Sequence, residues 1–296
     1  MTSDHWFRRI CGCMFLALGA AFGHSSYAAE SQPVRQDITY ATVDGIDLKL
    51  DLHLPKAAAK PRLLVWVHGG AWRSGSKSDM PLAHLVEAGY AIASVDYRLS
   101  PVARFPAQVH DIKAAIRFLR ASQDKYGYDA RQIGIAGSSA GGHLAALVGV
   151  TNGQTELEGT VGEHDKEDSS VQTIVSFYGM SNLTTILEQS TPHGLKVRVP
   201  ALELLLGGQP EEKRELARLA SPVFHVDAKD PPLLLLHGDQ DPQAPINQSH
   251  ELQGRYEAAN VPCRMVVVHG GKHGGREFYD EERLKLVQEF LAASLK

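Results

Sequence analysis

Six short apolar runs, each bounded by turn residues, recur along the chain, and stretches of helical spacing separate them. The runs are residues 63–70, 91–99, 132–137, 171–179, 231–239 and 263–270. Their consecutive apolar positions are typical of strands buried on both faces of a sheet. Helical periodicity is clearest over residues 107–122, 246–259 and 280–295. This alternation predicts an α/β fold with a mostly parallel central sheet and helices on both faces.

The segment before the first run follows a different pattern. Residues 37–55 alternate apolar and polar side chains around Asp44 and Gly45, a pair that strongly favours a two-residue hairpin turn. We therefore expect an N-terminal antiparallel hairpin that leads into the parallel sheet. Residues 151–170 are polar and rich in glycine, and this composition predicts an excursion over the surface.

A longer interruption lies between the fourth and fifth apolar runs. Residues 183–222 contain short helical patterns that are interrupted by Pro192, Pro200 and Pro210. Insertions of this length between two strands are commonly functional. The segment therefore predicts a small cap-like insertion within a single catalytic domain over residues 30–296.

The N-terminus has the composition of an export signal. Arg8 and Arg9 precede an apolar run over residues 10–22 that is too short to span a membrane, and small residues follow it. This order predicts a secretory signal peptide over residues 1–29. We therefore expect a periplasmic or secreted protein with no stable membrane anchor after cleavage. The alternative is an amphipathic N-terminal helix, which the absence of a polar face disfavours.

Charge and cysteine content narrow the classes of function. The formal net charge is −4 and no basic stripe occurs, so we expect no nucleic-acid partner. Cleavage of the signal would remove Cys11 and Cys13 and leave Cys263 alone, so the mature chain would form no internal disulfide. An exported protein without disulfides suits a periplasm better than a disulfide-rich extracellular scaffold.

Residues 133–147 run from a strand pattern directly into a helical pattern of small residues. Gly137 and Gly141 flank Ser139 in the pattern Gly-x-Ser-x-Gly, which predicts a nucleophile held at a sharp, strained turn. The frame centred on Ser138 puts alanines at both glycine positions and is sterically poorer. We therefore expect Ser138 to turn away towards the neighbouring strands. A plain glycine- and serine-rich turn is the alternative without chemistry.

A serine hydroxyl is a weak nucleophile at neutral pH and needs a histidine base that is oriented by a carboxylate. His273 follows the last predicted strand, and Asp239 and Asp241 follow the strand before it. Open α/β sheets place their sites at such carboxyl ends of parallel strands. Asp241 is preferred because Asp239 begins the turn, where its side chain is expected to bond the adjacent backbone. The predicted catalytic residues are Ser139, Asp241 and His273.

The remaining histidines are assigned structural roles. His269 forms a His-x-x-x-His pattern with His273, but the strand before it and the two glycines between disfavour the helix that a zinc site of this kind needs. We therefore predict no metal site. The histidines assigned to structural roles are His110, His143 and His237.

Acyl transfer also needs donors for a developing oxyanion. Residues 68–72, His-Gly-Gly-Ala-Trp, follow the first central strand, and tandem glycines leave backbone amides open to a substrate. We predict that the amides of Gly69, Gly70 and Ala140 form the oxyanion hole, and that His68 orders the loop. The alternative is an ordinary turn formed by two glycines.

Together these motifs resemble the α/β-hydrolase fold, and more narrowly the bifunctional feruloyl and acetyl esterases and related bacterial carboxylesterases and lipases. The motifs are "VHGGAWRSGSK", "ASVDYRLSP", "FPAQVHDIKAAIRFLR", "IAGSSAGGHLAAL", "LLLLHGDQDPQAPINQSHEL" and "GGKHGG". The resemblance implies a serine carboxylic ester hydrolase without a cofactor. Ser139, Asp241 and His273 match the triad positions of the family, and Gly69, Gly70 and Ala140 match its oxyanion donors.

The chain departs from the family at two places, and the second, near the expected pocket, bears on the choice of substrate. The oxyanion loop lacks the third glycine of some relatives, and residues 178–183 replace a proline and an aspartate that many relatives carry. From loop position we expect Trp72, Tyr178, Met180 and Leu183 to line the acyl pocket. Short-chain or aryl esters, including acetyl and feruloyl esters of plant polysaccharide, are the expected substrates. The alternatives are peptide, amide or thioester cleavage by the same triad, and a binding module with an idle triad.

Overall fold

The computed structural model describes residues 34–56 and 58–295, and one eight-stranded sheet lies at its centre. The strands are β1 (Val34–Val43), β2 (Ile46–His53), β3 (Arg62–Val67), β4 (Ala91–Val95), β5 (Asp129–Ser138), β6 (Thr173–Phe177), β7 (Leu233–Gly238) and β8 (Cys263–Val268). Their order across the sheet is β1-β2-β4-β3-β5-β6-β7-β8. The β1–β2 and β2–β4 pairs are antiparallel, and all other pairs are parallel. Each predicted apolar run overlaps one of the strands β3 to β8.

Helices cover both faces of the sheet. They are α1 (Ala83–Glu87), α2 (Ala107–Ala121), α3 (Gln123–Tyr126), α4 (Ala140–Gly149), α5 (Thr155–Glu158), α6 (Ile186–Gln189), α7 (Pro192–Leu206), α8 (Arg214–Leu219), α9 (Asn247–Ala258) and α10 (Glu281–Ser294). Alternate residues of β3 face different cores. Val65 and Val67 pack in the cluster that contains α2 and α4, whereas Leu64 and Trp66 pack in the cluster that contains α1 and α10. The predicted α/β class, with helices on both faces of a mostly parallel sheet, is confirmed.

The N-terminal hairpin forms around the predicted turn. Val43 pairs with Ile46, so Asp44 and Gly45 alone make the connection between β1 and β2. Both turn residues have positive φ angles, 52° and 78°. This combination matches the twist of a two-residue hairpin. The hairpin joins the sheet through the antiparallel β2–β4 pair, at the edge distant from β8.

The insertion between β6 and β7 contains α6, α7 and α8. Pro192 begins α7, and Gly207 ends it in a left-handed conformation with φ 76°. The prediction that Pro200 interrupts the helix is wrong, because α7 continues through it. Proline removes one backbone hydrogen bond, but Pro200 is on the exposed face and α7 buries the opposite face, so packing offsets the loss.

The polar segment over residues 151–170 is anchored rather than loose. It contains the short helix α5, whose last residue, Glu158, lies against α2. The Glu158 carboxylate accepts hydrogen bonds from Lys113 Nζ at 2.6 Å, Arg117 Nη1 at 3.4 Å and Ser169 Oγ at 2.6 Å. One acidic residue therefore ties this surface segment to the body of the fold.

The predicted signal peptide, residues 1–29, lies outside the described residues, as do Cys11 and Cys13. The compact unit Gln32–Lys296 contains the sheet and every helix named above. Within residues 34–56 and 58–295, no helix is long and apolar enough to cross a membrane.

Candidate active site

Ser139 occupies the turn between β5 and α4, with φ 53° and ψ −119°. A Cβ on Gly137 would overlap the carbonyl of Gly141, and a Cβ on Gly141 would overlap the carbonyl oxygen of Val67. The glycine pattern therefore allows strand, turn and helix to approach within backbone contact. The Ser139 amide donates to the Phe177 carbonyl at 2.9 Å, which stabilises the strained turn.

Three predicted residues meet in one hydrogen-bonded chain. Ser139 Oγ lies 2.7 Å from His273 Nε2, and His273 Nδ1 lies 2.6 Å from Asp241 Oδ2. The other carboxylate oxygen of Asp241 accepts from the amides of Gln243 at 2.8 Å and Ala244 at 2.9 Å. An ionised carboxylate only accepts, so His273 carries its proton on Nδ1 and leaves Nε2 free to accept the serine proton.

The pKa values of His273 and Asp241 are both lowered, and burial and hydrogen bonding cause the shifts. Burial lowers the pKa of His273 below its ordinary value, although Asp241 acts against that shift. Burial alone would raise the pKa of Asp241, but hydrogen bonds from His237 and His273, with the Ala244 amide, together lower it well below its usual range. At neutral pH the histidine is therefore neutral and the aspartate ionised, which is the state a general base needs.

Asp239 lies in a different pair. Its carboxylate accepts from His269 Nδ1 at 2.9 Å and from the Gly270 amide at 2.7 Å. The His269 side chain is 85% exposed, so this pair lies at the surface. The geometry brings Asp241, and not Asp239, to His273. No group of three or more histidine, cysteine, aspartate or glutamate side chains in the described part of the chain is arranged to hold a metal ion.

The predicted oxyanion donors, which stay a prediction, belong to two elements at the nucleophile: the loop after β3 and the first residue of α4. Gly69 and Gly70 line the same cavity as Ser139, and their amides donate to no other described residue. A Cβ on Gly69 would lie 2.9 Å from the Ser138 carbonyl oxygen, so only glycine fits there without displacement. Ala140 is the first residue of α4, where helix geometry leaves the amide without an intrahelical acceptor. His68 supports the loop through its ring nitrogen, 2.8 Å from the Gly69 carbonyl.

The cavity above Ser139 has a volume of about 570 Å³. Its wall is formed by Gly69, Gly70, Ala71, Arg73, Ser74, Gly75, Asp79, Ser138, Ser139, Tyr178, Arg198, Gln243 and His273. A larger cavity of about 640 Å³ lies between β1 and residues 160–164, and it contains none of the predicted catalytic residues. The predicted catalytic residues are therefore not in the larger of these two cavities.

The predicted acyl-pocket residues separate into two groups. Tyr178 lines the cavity, but Trp72, Met180 and Leu183 are buried in the core and do not. Trp72 Nε1 donates to the ring nitrogen Nδ1 of His143 at 3.1 Å, so the indole contacts α4 in the core and does not line the cavity. Prediction from loop position failed here because a large apolar side chain gains more from core burial than from lining a water-filled cleft.

Ser138 also departs from expectation. It lines the cavity instead of turning away, and its hydroxyl interacts with the phenols of Tyr178 and Tyr279. The two phenol oxygens are 2.9 Å apart. A cluster of three hydroxyls therefore lies beside the nucleophile. Tyr279 could not be predicted as a member of this cluster, because it is far from Ser138 and Tyr178 in the sequence.

Arg198, a residue of α7, also lines the cavity and was not predicted from the sequence. Its side chain is wholly buried, as are those of Ala201, Leu202 and Leu205 on the same helix. The sequence did contain a signal that could have found it, because this cation lies at helical spacing from three apolar residues that a helix would bury.

Comparison with known proteins places this architecture in a family. The model of the BD-FAE family matches residues 50–256, a region that includes Ser139 and Asp241 and ends before His273. The chain belongs to the BD-FAE family. The resemblance inferred from the motifs is therefore confirmed.

Relatives of this BD-FAE family member are esterases by name. Esterase LipC of Mycobacterium tuberculosis is 35% identical over 217 residues, which cover 72% of this chain and 52% of LipC. Esterase LipQ of the same organism is 32% identical over 273 residues, covering 90% of this chain and 62% of LipQ. The chain thus spans about half to two thirds of the length of these curated relatives.

Solved structures resemble the family member over nearly its whole length. A truncated carbohydrate esterase from gut microbiota matches with TM-score 0.78 and 31% identity, over 89% of this chain and 97% of that one. Esterase 2 of Thermogutta terrifontis with bound propionate matches with TM-score 0.71 and 26% identity, over 88% and 94%. The sheet and these neighbours identify the α/β-hydrolase fold.

Proposed function

We propose that this chain is a serine carboxylic ester hydrolase that works through an acyl-enzyme. The observation that carries the proposal is the hydrogen-bonded chain from Ser139 through His273 to Asp241, at distances of 2.7 and 2.6 Å. Membership of the BD-FAE family and the esterase names of its relatives support the same activity. No cofactor is needed for this chemistry.

In the first step, Ser139 Oγ forms a bond to the ester carbonyl carbon while His273 Nε2 takes the hydroxyl proton. The carbonyl oxygen becomes an oxyanion and accepts hydrogen bonds from the amides of Gly69, Gly70 and Ala140. Asp241 remains ionised and stabilises the imidazolium. Collapse of the tetrahedral intermediate breaks the bond to the alcohol, which leaves with the proton from His273.

In the second step, water replaces the alcohol. The water oxygen attacks the acyl carbon while His273 takes a proton from that water. The same amides stabilise the second oxyanion. The bond to Ser139 Oγ then breaks, and the serine regains its proton from His273. The carboxylic acid is released and the enzyme returns to its starting state.

We propose short-chain and aryl esters as substrates, including acetyl or feruloyl groups on plant polysaccharide. The cavity of about 570 Å³ has room for a small acyl or aryl group. The similarity to a carbohydrate esterase supports a sugar-linked alcohol. A nucleic acid is not among the proposed partners.

A panel of substrates tests the proposed activity against the alternatives. p-Nitrophenyl acetate and butyrate, methyl ferulate and acetylated xylan are compared with an aminoacyl p-nitroanilide, a formamide and a thioester. We expect the esters to be turned over and Ser139→Ala to abolish that turnover. Faster cleavage of the anilide, formamide or thioester than of every ester would make the protein an amidase, peptidase or thioesterase instead.

We propose that the chain is exported to the periplasm or secreted. The charged, apolar and small-residue order of residues 1–29 supports this location. Expression of the full chain followed by fractionation and intact mass measurement tests it. The expected mature protein has lost about the first 29 residues. Retention of the complete N-terminus in the cytoplasmic fraction would contradict export.

A further inference from the structure

Arg198 is the least compensated polar side chain at the catalytic cavity. It is wholly buried on α7, and its Nε donates to the Gln243 carbonyl at 3.2 Å. Both terminal nitrogens, Nη1 and Nη2, are buried without a hydrogen-bond partner among the described residues. Leaving buried charged donors unpaired is strongly unfavourable, so a group that completes them would bind with a large gain.

The charges around this guanidinium do not neutralise it. Arg73 lines the same cavity, and no described carboxylate forms an ion pair with Arg73 or Arg198. The Asp241 carboxylate already accepts hydrogen bonds from His273 and from two backbone amides. The exposed Asp79 carboxylate accepts one from the Ser76 amide. The cavity therefore has two guanidinium groups in its wall without dedicated counterions.

Arg198 retains its charge under working conditions. Burial lowers the pKa of Arg198 to about 10, so the guanidinium is protonated at neutral pH. The Trp72 ring lies 5.8 Å from the guanidinium carbon, and its face offsets part of the cost of burial. The aromatic ring cannot accept hydrogen bonds from both terminal nitrogens in the way that a carboxylate does.

We infer that the cavity selects ester substrates that carry a carboxylate, towards which the buried Nη1 and Nη2 of Arg198 turn on binding, while Arg73 adds positive charge. This inference rests on the proposed esterase function, and within the short-chain and aryl esters it adds a preference for those that carry a carboxylate. The two parallel donors of a guanidinium match the two oxygens of a carboxylate, so Arg198 is a specificity residue in the wall of the catalytic cavity. The carboxylate belongs to either the acyl group or the alcohol, and the experiment has an arm for each.

Matched pairs of substrates measure the selectivity. In one pair, 4-acetoxybenzoate carries the carboxylate on the alcohol side and 4-acetoxyacetophenone replaces it with a neutral methyl ketone of similar shape. In the other, monomethyl glutarate carries it on the acyl side and methyl 5-oxohexanoate is the neutral analogue. The ratio of kcat/KM within each pair is compared between wild type and variants, so intrinsic differences in reactivity cancel.

The variants are Arg198→Gln, Arg198→Lys and Arg73→Gln. In at least one pair, we expect Arg198→Gln to lower the ratio of anionic to neutral kcat/KM by about tenfold to a hundredfold. Arg198→Lys retains the positive charge but lacks the two parallel donors, so its ratio should lie between those of wild type and Arg198→Gln. Added KCl should lower the wild-type ratio, because salt screens the attraction. If Arg198→Gln does not fold, Arg73→Gln and the salt dependence provide the same comparison.

Two further results would overturn the inference in recognisable ways. Equal losses of kcat/KM on both members of each pair would mean that Arg198 supports the fold or the base His273 and does not bind the substrate carboxylate. Calorimetry of Ser139→Ala with each pair measures binding without turnover, and equal affinity for both members would have the same meaning. Failure of wild type to hydrolyse any ester would refute the esterase proposal, whereas tighter binding of the anionic members would still support the carboxylate site.

Discussion

The role of Asp241 can be tested by replacing one of its carboxylate oxygens with an amide nitrogen. Asp241→Asn preserves the shape of the side chain, and its remaining carbonyl oxygen can still accept from the amides of Gln243 and Ala244. That arrangement turns the new amide group towards His273, where the carboxylate oxygen is now 2.6 Å from Nδ1. Two donors cannot face each other, so His273 would place its proton on Nε2 and lose the acceptor that Ser139 needs.

The expected cost is a ten-thousand-fold loss of kcat, roughly the effect of the wrong histidine tautomer in serine hydrolases, with KM changed little. This loss corresponds to about 5 kcal/mol of transition-state stabilisation. Steady-state hydrolysis of p-nitrophenyl acetate, with thermal unfolding of each variant, measures it. Asp239→Asn is the matched control, because the same exchange there affects a surface pair with exposed His269 and should change kcat by less than about twofold.

A folded Asp241→Asn protein with nearly normal kcat would refute the reasoning. An equal loss in Asp239→Asn would also contradict it, because Asp239 makes no contact with His273 in the described structure.

The pKa of His273, the close approach at Gly141 and the Trp72–His143 hydrogen bond can each be tested by one measurement. Because burial lowers the pKa of His273, kcat/KM for a neutral ester should fall on acidification only through a pKa below the ordinary histidine value, and a midpoint at or above that value would contradict the geometry. Gly141→Ala should destabilise the fold by more than about 2 kcal/mol or prevent folding, since its Cβ overlaps the Val67 carbonyl, whereas Gly254→Ala, in open space, should not; urea unfolding compares them. Trp72→Phe should lower the free energy of unfolding by about 1–3 kcal/mol, because it leaves a buried nitrogen of His143 unpaired, and unchanged stability would argue against that hydrogen bond.

Local sequence patterns predicted the features that depend on local geometry. The glycines around Ser139 identified the turn because backbone contact at that junction excludes side chains at both positions. Asp241 and His273 could be proposed because each follows a strand, and parallel strands end at one edge of the sheet. These inferences needed only chain order and the direction of strands.

Features that depend on packing between distant segments were not predictable in the same way. Trp72 and Ser138 are on the expected loops, but core burial and two phenols determine which way they point. Arg198 reaches the cavity because α7 packs beside the loop that follows Asp241. Single-sequence periodicity contains no information on which distant surfaces meet, so these residues required the folded structure.

Active-site labelling tests whether Ser139 is the nucleophile of an esterase. Wild type, Ser139→Ala and Ser138→Ala, which each remove one hydroxyl from adjacent positions, are treated with a fluorophosphonate probe and measured by intact mass. We expect a single adduct on wild type and on Ser138→Ala, and none on folded Ser139→Ala. An adduct on Ser139→Ala together with its loss from Ser138→Ala would show that Ser138 is the nucleophile and would contradict the account.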